Sequence, residues 1–138
     1  MLKIGYLLIC EDTYEKNGKI MIDKPLPNIS PLSLPGNYSF KVAFSLHNFD
    51  VETFGSSNKI QITFKDPEGK IIMDTGEKEI RTDLGKQEND SNLEVAQGDL
   101  TMNNVELYIK GIYTLTLRIN EESKDLQVPV IERPKQGD

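Results

Sequence analysis

The segment Gly111–Ile131, GIYTLTLRINEESKDLQVPVI, constrains the fold more than any other stretch of the chain. Tyr113, Leu115, Leu117 and Ile119 alternate with Thr114, Thr116 and Arg118, the period of a half-buried strand. After a polar turn over Asn120–Lys124 the alternation resumes at Leu126, Val128 and Val130. The two runs predict an antiparallel hairpin with one apolar face, and such a face must lie against a second layer. Pro129 removes a ladder donor, so the last strand is expected at a sheet edge.

Upstream segments can supply that layer. Tyr38, Phe40, Val42, Phe44 and Leu46 alternate with Ser39, Lys41, Ala43, Ser45 and His47, which predicts a strand with the second set towards solvent. Ile60, Ile62 and Phe64 form another inward set. Asp66-Pro-Glu-Gly69 fits a type I turn leading into a strand over Lys70–Asp74, with Glu77–Thr82 extending it beyond a kink at Thr75-Gly76. At the N-terminus Lys3–Cys10 carries apolar residues on both faces, with Ile4, Tyr6, Leu8 and Cys10 on one and Leu7 and Ile9 on the other. That predicts a strand covered on two sides. Glu11–Asn17 reads as a long loop ending in the turn pair Asn17-Gly18, before a short strand over Lys19–Asp23.

Lys24–Gly36 holds four of the seven prolines, which preclude a helix or a central strand. It is expected to cross from one sheet to the other, with Leu26, Ile29, Leu32 and Leu34 tucked against the core; its proline spacing lacks the PxxP register of a polyproline ligand. Asp83–Asn92 is the most polar stretch, expected as a mobile loop. Leu93–Met102 has features of both a helical turn and a strand, Gly98 and Thr101 favouring the strand, and Asn103-Asn104 is expected to end it. Together these signals predict an all-β, antiparallel two-sheet β-sandwich of about eight short strands, one domain over residues 1–131 with a frayed tail over 132–138.

Charge and cysteine usage narrow the function. A net charge of −6 and a pI near 4.9 disfavour nucleic acid and anionic membrane surfaces as partners. One cysteine, Cys10, excludes an internal disulfide framework and suits the cytoplasm. Only six residues separate Lys3 from Cys10, and Ile9 stands where a lipoprotein signal needs a small residue. The chain is therefore expected to begin at Met1 without an export signal.

The order of these signals also resembles a known family. Cys10-Glu-Asp12 after an apolar strand, Asn17-Gly-Lys19 with Ile20-Met-Ile22, Asp66-Pro-Glu-Gly-Lys70, and Gly111-Ile-Tyr113 before the penultimate strand together resemble a widespread family of small bacterial proteins catalogued only as a domain of unknown function. The resemblance covers almost the whole chain. It implies an immunoglobulin-like β-sandwich and carries over no functional residues. Gly111-x-Tyr113 also resembles the tyrosine corner of immunoglobulin-type sandwiches, although Ile109 replaces the aspartate usual two residues before the glycine.

No constellation of catalytic residues stands out. His47, the only histidine, falls on the polar face of its strand near Asp50, and Ser56 and Ser57 lack a Gly-x-Ser-x-Gly elbow. Cys10 reads as a buried, inert thiol. One histidine and one cysteine cannot furnish a zinc site. For calcium, Asp90, Asn92 and Glu94 alternate as in an EF-hand, but Val95 replaces the glycine and Thr101 the closing glutamate. Asp83, Glu88 and Asp90 are candidates for a looser calcium site, beside the simpler reading of a solvated acidic loop. There is no tryptophan for a sugar platform and no Walker or Gly-x-Gly-x-x-Gly loop, and most aromatics fall inward, with Phe49, Phe54 and Tyr108 as exceptions. The expectation is a cytoplasmic, non-enzymatic binding protein without cofactors. Its partner would be another protein, or a second copy joined through an edge strand. The candidate surface is Phe49, Phe54, Ser56, Asn58, Glu88 and Asp90. The alternatives are a carbohydrate- or calcium-binding module and, more remotely, a hydrolase with an unrecognised site.

Overall fold

In the computed structural model, residues 3–47, 58–80 and 95–132 are described. They form nine strands and no helix: β1 (Lys3–Lys16), β2 (Lys19–Pro25), β3 (Gly36–His47), β4 (Asn58–Lys65), β5 (Ile71–Asp74), β6 (Lys78–Ile80), β7 (Val95–Leu107), β8 (Gly111–Ile119) and β9 (Glu122–Val130). One sheet has the order β2-β1-β3-β7 and the other β5-β4-β8-β9, with β6 also paired to β4. All strand pairs are antiparallel. With β1, β3 and β7 in one layer and β4, β8 and β9 in the other, this is the Greek-key arrangement of an immunoglobulin-like sandwich.

The alternating residues meet between the layers. Phe40, Val42, Phe44 and Leu46 from β3 face Ile62 and Phe64 from β4 and Tyr113, Leu115, Leu117 and Ile119 from β8, all nearly or fully buried. The rings of Phe64 and Tyr113 stack at 5.2 Å, and Phe40 tilts against Phe64 at 5.9 Å. The predicted hairpin is β8–β9, in continuous register from Gly111↔Val130 to Ile119↔Glu122. The tyrosine corner is present as well: the buried Tyr113 hydroxyl donates to the Ile109 carbonyl at 2.6 Å. Gly111 takes φ +141°, where a Cβ would stand 2.6 Å from Cγ of Pro67. The glycine thus lets the β7–β8 corner close on the Asp66–Gly69 turn, whose Asp66 carboxylate accepts the amides of Glu68 and Lys70 at 2.9 Å. Strands β5 and β6 share one edge of β4 on either side of Gly76 (φ +70°), the kink expected from Thr75-Gly76.

Several expectations change. β1 does not stop at Cys10 but runs to Lys16, because Asn17 (φ 53°) and Gly18 (φ 76°) make a two-residue turn that leaves no loop between Lys16 and Lys19. A bulge between Ile4 and Leu7 puts Ile4 with Leu46 on the inner face, while Leu8 and Cys10 stay outside. The proline-rich segment returns to the sheet it left. On the way it touches the other layer, with Ile29 bridging Val130 in parallel and exchanging hydrogen bonds with Pro129 and Ile131 at 2.9 Å. Its Ile29 is fully buried, but Leu32 is 83% exposed, and Pro31 is the buried residue beside it. Asn103-Asn104 does not end β7; Asn104 (φ 53°) marks a bulge and the strand continues to Leu107. The polar segment over Asp83–Asn92 and the tail beyond Glu132 lie outside the described residues.

Candidate functional site

Ala43 and Ser45 belong to the face of β3 expected towards solvent, yet they are 0% and 3% exposed. Their cover is the β1–β2 hairpin. Within it Thr13 pairs with Ile22 and Tyr14 with Met21, so Thr13, Ile20 and Ile22 share one face and Tyr14 and Met21 the other. The Thr13 face is buried or half-buried, whereas Tyr14 and Met21 are exposed. At the far end of the hairpin the Ile20 amide donates to Oε1 of Gln97 on β7 at 3.0 Å, and Nε2 of Gln97 donates to the Tyr6 hydroxyl at 3.1 Å. β1 and β3 separate β2 from β7 within the sheet. The hairpin therefore reaches β7 only by folding across the outer face.

Beneath the hairpin runs a polar seam. The Thr13 hydroxyl donates to the Asp99 carboxylate, and Nζ of Lys41 lies 3.4 Å from Oγ1 of Thr13 and 3.0 Å from Oδ1 of Asp12. The Thr13 amide donates to the same Asp12 oxygen at 2.8 Å. The hydrogen bond from Lys41, reinforced by that amide, holds the Asp12 carboxyl below its ordinary pKa, and Asp12 in turn raises Lys41. Cys10 is fully buried against the same strand, its Sγ 3.7 Å from the Lys41 carbonyl. Burial pushes the thiol pKa up, against a smaller opposing pull from the Lys41 charge. A protonated, covered thiol is a poor nucleophile. The seam has the chemistry of a latch between layers: one ammonium balanced by nearby carboxylates, of which Asp12 also accepts the Thr13 amide and Asp99 the Thr13 hydroxyl.

His47 is half-buried rather than solvated. Its Nε2 lies 3.5 Å from Oγ of Ser45, which accepts the Tyr6 amide at 2.9 Å. Gly5 makes room for this pair, since a Cβ there would stand 2.2 Å from the serine oxygen and 2.5 Å from the imidazole nitrogen. A serine only 3% exposed offers a substrate little access. The pair anchors the β1 bulge to β3.

His47 also marks one pole of the sandwich. It pairs with Val95, Asn58 pairs with Ile80, and Asn120 bonds Lys59 twice, through its amide to the carbonyl (2.9 Å) and through its side chain to the Lys59 amide (3.0 Å). The ends of the segments 48–57 and 81–94 and the β8–β9 turn thus converge there. Of the candidate surface, Asn58 opens β4 at this pole; Phe49, Phe54, Ser56, Glu88 and Asp90 lie outside the described residues, as do the calcium candidates Asp83, Asn92 and Glu94. Among the described residues no three His, Cys, Asp or Glu side chains are grouped to hold a metal ion. At the opposite pole Tyr108 is exposed, as expected, over an open depression of about 210 Å³ lined by Pro35, Asn37, Glu106 and Leu107 among others.

Sequence reasoning missed Thr13, Gln97 and Asp99. The legible trace was the two-faced apolar pattern of Lys3–Cys10, which required an outer cover without saying which segment supplies it. No helix among the described residues is long and apolar enough to cross a membrane. A search of curated proteins finds no match to this chain. A family model does match residues 5–130, spanning both sheets, the tyrosine corner and the folded-over hairpin, and by that match the chain belongs to DUF6941, a family of unknown function.

Proposed function

We propose that this protein is a non-enzymatic binding module of the cytoplasm that recognises another protein, using its sandwich as a rigid frame for a contact surface at the pole around His47 and Asn120. The observation that carries this reading is the convergence at that pole of the strand ends bounding 48–57 and 81–94. Segments held at the end of a sandwich are where this architecture carries recognition. The lone buried thiol of Cys10 and the net charge of −6 support a reducing compartment and a protein partner over nucleic acid.

The test is affinity capture from native lysate by the full chain and by a Phe49→Ala/Phe54→Ala variant, each with and without calcium, with melting temperatures measured in parallel. A stoichiometric protein captured by the wild type and lost by an equally stable variant supports the reading. A clean eluate overturns it. A melting temperature that rises with added calcium would favour the calcium-binding alternative instead, by linkage.

A further inference from the structure

Among the described residues the sandwich has four sheet edges, and three carry devices that discourage another strand from adding. β2 is seven residues long and bears Lys19, Lys24 and Pro25. β5 and β6 have four and three residues and are broken at Gly76. β9 is bridged by Ile29 near Pro129, and its Lys124 donates to the Gly5 carbonyl at 3.0 Å. β7 differs: its thirteen residues, VAQGDLTMNNVEL, include no lysine, arginine or proline, and among the described residues no strand pairs with its outer edge.

The ladder shows which groups point outward. The Ile9 carbonyl accepts the Leu26 amide on the β2 side of β1. N–H and C=O of one strand residue point the same way and alternate along the strand. Cys10 therefore bonds Lys41, its partner on β3, and Val42 and Phe40 turn their groups towards Leu100 and Met102 on β7. Gln97, Asp99 and Thr101 are left with theirs at the edge turned away from β3. Their side chains are exposed, and Asp99 and Glu106 are the only charged residues on the strand.

We infer that the outer edge of β7 receives an extended segment of a partner protein bearing lysine or arginine at alternate positions, added as a further strand. Main-chain bonds would supply affinity, and Asp99 and Glu106, on a strand with no lysine or arginine of its own, the preference for basic residues. Self-pairing is disfavoured because it would juxtapose two such edges on chains each carrying −6. The inference rests on the binding-module reading and specifies its surface and the chemistry of its partner.

The experiment uses the full-length protein and two labelled dodecapeptides, one alternating lysine with valine and threonine, the other with glutamate in place of lysine. Binding is read by fluorescence anisotropy and by amide exchange in β7. Thr101→Lys keeps the outward amide but adds the charge that blunts natural edges, and Thr101→Pro removes the amide; should the proline variant not fold, the lysine variant carries the test. Expected are binding of the basic peptide at least tenfold tighter than the acidic one, slowed exchange at Gln97, Asp99 and Thr101, and at least tenfold weaker binding by folded Thr101 variants. Equal binding of the two peptides, no binding, protection at another edge, or full binding by Thr101→Lys would overturn it, as would a dimer that protects β7 without peptide. If Thr101→Lys still captures the lysate partner, the edge is wrong and the module stands. If the wild type captures nothing, the module reading itself fails.

Discussion

The inner and outer faces of β3 bury residues by different means. Inside, Phe40, Val42, Phe44 and Leu46 meet an apolar layer, where the Phe40, Phe64 and Tyr113 rings pack on one another. Outside, Ala43 and Ser45 are almost as inaccessible, but their cover is a two-stranded hairpin fastened by Thr13–Asp99, Lys41–Asp12 and Ile20–Gln97. Burial against a full sheet is cooperative with the whole fold. A hairpin on a polar seam is fastened locally, and its opening need not unfold the sandwich. Equal exposure values therefore conceal unequal stability.

The sharpest break should come from the inner face. Phe64→Ala leaves a cavity between the sheets and is expected to cost about 3–5 kcal/mol in global stability, read by denaturant unfolding. Gly111→Ala places a methyl against Pro67 at a backbone angle that disfavours side chains, for roughly 1–3 kcal/mol in the same measurement. Tyr113→Phe orphans the Ile109 carbonyl for about 1–2 kcal/mol, with the core otherwise filled.

The outer face should respond differently. Thr13→Val removes the donor to Asp99, with about 1 kcal/mol or less lost globally. Labelling of Cys10 by a thiol reagent under native conditions should nevertheless accelerate more than in Tyr113→Phe. If labelling follows only global stability, the two faces are one cooperative unit. The smallest effect is the pH dependence of Asp12. Its folded pKa lies below the unfolded value of about 3.9, so its contribution is present above that value and is lost as pH falls through the lower folded one. Asp12→Asn should lower the melting temperature slightly near neutrality, where the wild-type carboxylate is ionised, and the two melting curves should converge as pH falls through the folded pKa.

The inner face was legible because it is periodic: Tyr113 to Ile119 and Tyr38 to Leu46 state their burial by alternation, and the Asp66–Gly69 turn and the tyrosine corner state their geometry by residue type. The outer face was not, because Thr13 looks solvated until the hairpin folds over, and the exposed Asp99 and Gln97 give no sign of the bonds they make to it. A threonine and an aspartate eighty-six positions apart carry no local signal of their pairing. The one readable hint was Asn17-Gly18, whose two-residue turn forces Glu11–Lys16 into a strand that the polar composition disguises as a loop. Of the candidate surface, Asn58 lies among the described residues, at the start of β4.

The hairpin's fastening at Gln97, seventy-seven residues beyond Ile20, has a consequence for biosynthesis. The N-terminal strands leave the ribosome first, yet the surface they lie on is complete only after β7 has been made. Lys124, which holds the Gly5 carbonyl, comes later still. Until then Tyr6–Cys10, apolar on both sides, has neither of its covers. A nascent chain must shield this run until β7 and Lys124 have been made, so β1, made before every other strand of the sandwich, is among the last to find its place.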